Sequence, residues 1–304
     1  MVAKNINVLS FGEILWDMID GKKFIGGAPF NLTAHLARMG CKATIISAVG
    51  QDSLGEKALL KAGKIGIDLS YIQVHSHLPT GTVRVDLNAW GHPTFQIIED
   101  VAWDHIELNK NSIHDLSKSK WDIFCFGTLS QRSDENREVL YQLLRSIKAK
   151  HVFYDVNLRQ NFFRKSWIEK SLCFSTIVKL NDQEADILSE LLFSQKLKQK
   201  EFIIKLVKKY DVSITCITHG KNGSSIFYNN LLKKIPGINS PVIDTVGAGD
   251  GFSAGFLFAY LCGSSVFGAA EFAEMVGNFI VSKTGALPLY PLWLKKEIQN
   301  FKKR

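Results

Sequence analysis

Between Trp121 and Thr218 short apolar runs alternate with longer segments of helical pattern, and that alternation constrains the fold more than anything else in the chain. Residues 123–126, 151–156, 177–180 and 213–218 read as strands, with helices over 135–148 and 182–192 between them. Strands that stay apolar along their length and are spaced by helices belong in a parallel sheet covered on both faces. Residues 6–11 and 43–49, each closed by a glycine, add two more such strands. Gly26-Gly27-Ala28-Pro29 reads as a tight turn opening a helix over 31–39, with Gly40 suited to its end. Residues 80–86 follow a different period. Thr82, Arg84 and Asp86 fall on one face and Val83, Val85 and Leu87 on the other. With a turn at 88–91 and a return over 94–98, this is a hairpin outside the strand–helix rhythm. Residues 225–234 read as another hairpin, and 248–261 and 265–283 as two late helices. The expected architecture is α/β, one domain over 1–304 with a small inserted β lid.

The 304 residues suffice for a large core without covalent staples. Cys41, Cys125, Cys173, Cys216 and Cys262 are scattered, odd in number and form no CxxC, which points to buried thiols and not to disulfides or zinc. The start, Met1-Val2-Ala3-Lys4-Asn5, lacks the plan of a secretory signal. The longest apolar stretch, 254–270, is broken by Gly255, Gly263 and Gly268 and falls short of the roughly 20 residues that span a bilayer. The expected location is the cytoplasm, with no membrane partner. Net charge is +8, but the lysines are spread over polar helix faces and no aromatic residues interleave with a basic groove. A solvated surface is therefore expected in place of a nucleic-acid interface.

The segment with the clearest chemistry is Gly247-Ala248-Gly249-Asp250, at the start of an apolar helix. Small residues let backbone approach an anion, and the free N–H groups and dipole of a helix start favour negative charge. An aspartate there can take a proton from a hydroxyl held beside that anion, the combination phosphoryl transfer requires. By itself the segment reads more readily as a Gly-rich turn with Asp250 capping a helix. No GxxxxGK[ST] and no GxGxxG after the first strand is present, so Walker-type and dinucleotide-binding readings fall away.

Asp244-Thr245-Val246-Gly247-Ala248-Gly249-Asp250-Gly251-Phe252 followed by Ala254-Gly255-Phe256 resembles the C-terminal signature of the ribokinase-like (PfkB) carbohydrate kinases, and Gly26-Gly27-Ala28-Pro29-Phe30-Asn31 through Ala37-Arg38-Met39-Gly40 resembles their N-terminal one. The resemblance runs from about Val8 to Pro288. It implies a ribokinase-like three-layer α/β/α sandwich with a mostly parallel central sheet and a small β lid over about 13–24 and 80–98. Its implied roles are specific. Asp250 is the base, and Gly247, Ala248 and Gly249 complete the anion hole. Asp17, Gly27 and Asn31 bind sugar hydroxyls, with Glu13 a weaker candidate. Arg159, in Asp155-Val156-Asn157-Leu158-Arg159, meets phosphate. Asn181 and the turn Thr218-His219-Gly220-Lys221-Asn222-Gly223 (Thr218, Gly220 and Gly223 foremost) bind nucleotide. Glu184 organises Mg²⁺ through water, and Asp244 and Val246 match the place where relatives hold a monovalent cation such as K⁺.

Taken alone, Asn181 and Glu184 read as a helix cap with a surface glutamate, and Gly220 and Gly223 as an ordinary loop. Glu274 stands where many relatives carry Asn near the adenine, which loosens the expected base selectivity. The implied substrates are ATP and a sugar, and the combination of Gly12-Glu13, Gly26-Gly27-Ala28-Pro29, Pro79-Thr80-Gly81-Thr82-Val83 and Asp155 to Arg159 is most similar to fructokinases, implying D-fructose phosphorylated at O6. Ribokinase, 2-keto-3-deoxygluconate kinase and nucleoside kinase are the alternatives within the family. A non-catalytic sugar- or nucleotide-binding regulator is the alternative outside it. Val83, Val85, Leu87 and Phe95 would either cover the sugar or support a homodimer through the lid.

Overall fold

The structure, a computed structural model, describes residues 5–19, 21–87 and 93–303. The turn expected over 88–91 lies outside them, as do the side chains of Val85, Leu87 and Phe95. The N-terminal part contains β1 (Asn7–Phe11), β2 (Leu15–Ile19), β3 (Lys22–Gly26), α1 (Ala28–Arg38), β4 (Lys42–Gly50), α2 (Ser53–Ile65), β5 (Ile72–His75), β6 (Gly81–Leu87) and β7 (Pro93–Ile97). Then come α3 (Lys110–Lys118), β8 (Trp121–Gly127), α4 (Asp134–Ser146), β9 (Ala149–Asp155), α5 (Lys165–Phe174), β10 (Ile177–Asn181) and α6 (Asp182–Phe193). The last are α7 (Gln199–Tyr210), β11 (Ile214–Thr218), β12 (Ser224–Tyr228), β13 (Leu231–Ile235), α8 (Ala248–Leu261), α9 (Val266–Val281) and α10 (Leu292–Lys302).

A nine-stranded sheet runs β13-β12-β11-β10-β9-β8-β1-β4-β5, parallel from β5 through β11, with β12 and β13 antiparallel at one edge. Successive strand residues enter opposite cores, which is why these strands read as unbroken apolar runs. Val8, Ile123, Cys125 and Phe153 pack with α1, α8, α9 and α10. Leu9, Phe124, Phe126 and Tyr154 pack against α4, α5, α6 and α7. The three-layer sandwich is thus in place, with β1 between β8 and β4 and its C-terminal end opening on the site. Cys41, Cys125 and Cys216 are buried as expected, whereas Cys173 is exposed.

A second, four-stranded sheet runs β3-β2-β6-β7. It springs from the end of β1 and returns to α1. Val83 faces inward against Trp103 and Leu129 while Arg84 is exposed, so the period-2 pattern of β6 is observed at these two positions. Val83 therefore belongs to the interior packing of the chain.

The sequence pattern does not reveal α2, yet it anchors this sheet. Asp52 caps α2, accepting from the Leu54 and Gly55 N–H groups at 2.9 and 2.8 Å, and its carboxylate also accepts from Thr80 N–H (2.7 Å) and Thr80 Oγ1 (2.8 Å) at the root of β6. Burial pushes the Asp52 carboxyl up, but the Thr80, Gly55 and Leu54 donors outweigh it and hold its pKa below the ordinary value. The stability it contributes is therefore present above the ordinary aspartate range and lost as pH falls below it. Asp52→Ala removes a helix cap and the Thr80 tether, and should lower unfolding free energy by about 1–2 kcal/mol. Urea titration of the variant checks this; an unchanged midpoint would refute the anchor.

Candidate active site

α8 begins without a side-chain cap. Its N-cap is Gly247 at φ +78°, and its first helical hydrogen bond runs from Gly251 N–H to Gly247 O at 2.9 Å. The Gly249 and Asp250 N–H groups lie ahead of that bond, left for a ligand. Asp250 is the third helical residue and not the cap. Its Oδ2 accepts from Asn31 Nδ2 at 2.8 Å, which joins the two glycine-rich segments directly. The capping reading of Asp250 therefore gives way to a carboxylate held from across the site.

The join has a second strand of evidence in His35, which the sequence pattern does not single out. His35 is fully buried on α1, with Nδ1 2.7 Å from Tyr290 Oη and Nε2 3.0 Å from Ala286 O. A carbonyl only accepts, so Nε2 carries the proton and Tyr290 donates to Nδ1. Burial and nearby Arg38 push the His35 pKa down to about 3, so the ring stays neutral. Arg38 Nη1 donates to Leu287 O and Pro288 O, each at 3.0 Å. Helix α1 thus clamps the 286–288 segment, and that segment backs Gly247: a Cβ there would stand 2.4 Å from Ala286 Cβ. Only glycine fits at that φ and that distance.

Around Asp250 the charges are crowded. Burial, then Asp155, raises its pKa to about 6, against the lowering effect of the Asn31 hydrogen bond, Lys179 and Arg159. Glu13, at the end of β1 and 2% exposed, is raised to about 7 by burial, with Asp250 adding to this and Arg159 opposing it. Its Oε2 has no hydrogen-bond partner, nor does Asn31 Oδ1, so two buried polar atoms near Asp250 are left for a ligand. Asp17 on β2 is raised to about 6 by burial, opposed by Arg159. It lines a cleft of about 180 Å³ with Lys22, Phe24, Asp244, Val246, Thr284 and Gly285. Gly26 and Gly27 make room there: a Cβ on Gly26 would meet Asp17 Oδ2 at 2.6 Å, and one on Gly27 would meet Glu13 O. Arg159 is exposed, its charge felt by Glu13, Asp17 and Asp250.

The strand ends beyond Asp250 carry the other candidates. Asn181 caps α6 through Oδ1 to Glu184 N–H at 2.9 Å, and Glu184 Oε2 accepts from Asn181 N–H at 2.8 Å. That is a capping box, but Glu184 is not a surface residue. It is buried, and Oε1 takes the Leu158 N–H at 2.9 Å. With a backbone donor on each oxygen, this carboxylate suits a metal reached through water better than a direct ligand. Thr218 ends β11 beside β10, in register with Asn181. Gly220 is open, at φ +55° with nothing within 4 Å of where a Cβ would stand, whereas Gly223 is forced: a Cβ would meet Ile235 O and Gly237 N. His219, between them, bridges Asp182 Oδ1 (2.5 Å) and Ser225 Oγ (2.7 Å) and so pins the two loops together. Glu274 on α9 is buried beside Ser224, and burial raises its pKa to about 7. Asp244 spends its side chain on the Val246 and Gly285 N–H groups, at 2.9 and 2.8 Å. Main-chain carbonyls, and not the carboxylate, are what this loop can offer a monovalent cation.

The profile of the pfkB family carbohydrate kinases matches residues 4–292. The chain belongs to the pfkB family of carbohydrate kinases. Over 298 residues it is 28% identical to a putative sugar kinase of Pyrococcus horikoshii, covering 92% of this chain and 91% of the relative. It is 25% identical over 292 residues to a fructokinase of Escherichia coli, covering 91% of each. The crystal structure of a fructokinase from Vibrio cholerae O395, in fructose-, ADP- and calcium-bound form, matches with a TM-score of 0.82 over 96% of this chain and 98% of that one. At 19% identity that is a likeness of fold. As a member of the pfkB family the protein is a phosphotransferase with an alcohol acceptor, and its acceptor class is carbohydrate. Among the described residues no helix is long and apolar enough to cross a membrane.

Proposed function

We propose that the protein transfers the terminal phosphoryl group of ATP to a hydroxyl of a free sugar, with D-fructose and its O6 as the preferred acceptor. The observation that carries the reading is Asp250: a carboxylate held by Asn31, in the first turn of a helix whose leading N–H groups are uncapped. Asp250 takes the hydroxyl proton. The Gly249 and Asp250 amides, with Gly247 and Ala248 shaping the approach, face the charge that develops on the phosphoryl oxygens. Asp17, Gly27 and Asn31 hold sugar hydroxyls, and Arg159 draws in phosphate with a guanidinium suited to it. Asn181, Thr218, Gly220 and Gly223 border the nucleotide, and Glu184 would hold Mg²⁺ through water. Mg²⁺, when bound, offsets the charge of the donor phosphates.

The smaller sheet serves as the lid of a single kinase domain, closing to keep water from the phosphoryl group. Preference for fructose is supported by the name of the Escherichia coli relative and by the Gly12-Glu13 and Asp155 to Arg159 runs. Purified protein with ATP, Mg²⁺ and a panel of fructose, ribose, 2-keto-3-deoxygluconate and nucleosides should release ADP fastest with fructose. Faster turnover of another member of the panel would reassign the acceptor, and no turnover with any sugar would reject the kinase reading.

A further inference from the structure

β10 sets one more charge beneath this site, and neither glycine-rich signature contains it. Lys179 has a side chain only 8% exposed, and its Nζ donates to Asp155 Oδ1 and Oδ2 at 3.1 and 3.2 Å. Ser253 Oγ, from α8, donates to the same carboxylate at 3.2 Å and fixes it from the other side. An ammonium has three donors, and Asp155 accounts for two of them. A Cβ placed on Gly249 would stand 3.0 Å from Lys179 Nζ, with only Lys179 Cε otherwise near. The ammonium therefore lies directly behind the backbone that begins α8. Burial favours the neutral amine, but Asp155, Glu184 and Asp250 outweigh it and keep Lys179 charged.

Such a pair is poorly explained by stability. The desolvation of two buried charges about cancels their attraction, so an apolar pair would serve a fold as well. A cation fixed under a helix start does have an effect on charge that develops above it. Asn31 from α1 donates to Asp250, and the charges of Glu13 at the end of β1, Asp155 on β9, Arg159 in the loop after it and Lys179 on β10 are felt there. Of the two cations, Arg159 is exposed and screened by solvent, whereas Lys179 is buried.

We propose that Lys179 is a positioning residue of the transfer site: anchored by Asp155, its ammonium strengthens the anion hole through Gly249. The proposal rests on the kinase reading above. If Lys179 merely neutralised Asp155, removing both charges would restore the site. The test is therefore a cycle of wild type, Lys179→Met, Asp155→Asn and the double variant. Lys179→Met should lower kcat at least 100-fold while the KM for sugar moves less than threefold, and should shift the acid limb of kcat/KM to higher pH. In the Asp155→Asn background, where no buried carboxylate is left unpaired and folding is protected, Lys179→Met should still cost at least tenfold. A cost below threefold in that background would overturn the proposal. A readout apart from turnover separates this from the kinase reading. ADP with Mg²⁺ and beryllium fluoride, which mimics the transferred group, should raise the melting temperature beyond ADP and Mg²⁺ alone in Asp155→Asn but not in the double variant. An equal gain in both would overturn the proposal even if no sugar were turned over.

Discussion

Asp250→Asn lowers kcat by about 10²–10⁴-fold, the range a positioned general base contributes, and leaves ATP affinity within a few fold. The amide keeps the size of the carboxyl and can still meet Asn31, so the loss is that of a proton acceptor and not of a fold. The same residue sets the pH dependence. Burial and Asp155 hold its pKa at about 6. A base acts only when ionised, so wild-type kcat/KM falls as pH drops through about 6, and the variant lacks that step. Steady-state rates from pH 5 to pH 8 test both statements. An Asp250→Asn enzyme within tenfold of wild type would remove Asp250 from the role of base.

Gly247→Ala is the second large effect. The new methyl group must adopt φ +78° and would stand 2.4 Å from Ala286 Cβ and 2.5 Å from Ala286 Cα. Left-handed backbone costs an ordinary residue about 1–2 kcal/mol. The overlap cannot be relieved by a rotamer change, because a Cβ has none. The start of α8 must shift against the clamped 286–288 segment, and the amides that follow move with it. Losing one donor of an anion hole costs about 10²–10³ in kcat, and that is the expected drop, with a lower melting temperature. Gly66→Ala is the control. Gly66 also has positive φ, at +93°, but nothing lies within 4 Å of its Cβ position. It should lose a little stability and no kcat. Equal loss of activity in both variants would mean that Gly247 acts through global stability alone.

Much of this can be read from the chain because the relevant information is local. Doubly buried strands announce themselves as apolar runs, and α8 is bounded to the residue by its glycines and its apolar length. The site residues that escape share one property: their meaning depends on partners far along the chain. His35 looks like a stray polar residue on an apolar helix until Ala286 and Tyr290 come beside it. Lys179 looks like a stray charge in the middle of an apolar strand until Asp155 and Gly249 close on it. Glu184 is named by the family resemblance, but its burial is hidden, because its carboxylate reads as helix-capping and only the Leu158 backbone reveals its second partner. Helix α2 escapes because its apolar face is narrow, with only Gly55, Ala58 and Ala62 buried, all small.

Asn31 and Asp250 touch across 219 residues of chain. A ribosome adding about 5–20 residues per second needs roughly 10–45 s to make the second after the first. From the time Phe153 is made until α8 and α9 follow, the sheet face of Val8, Ile123, Cys125 and Phe153, which those helices later cover, stays open on the nascent chain beside α1. Asp250 is thus among the last parts of the site to arrive, and until it does the chain presents an apolar surface on which a chaperone can act.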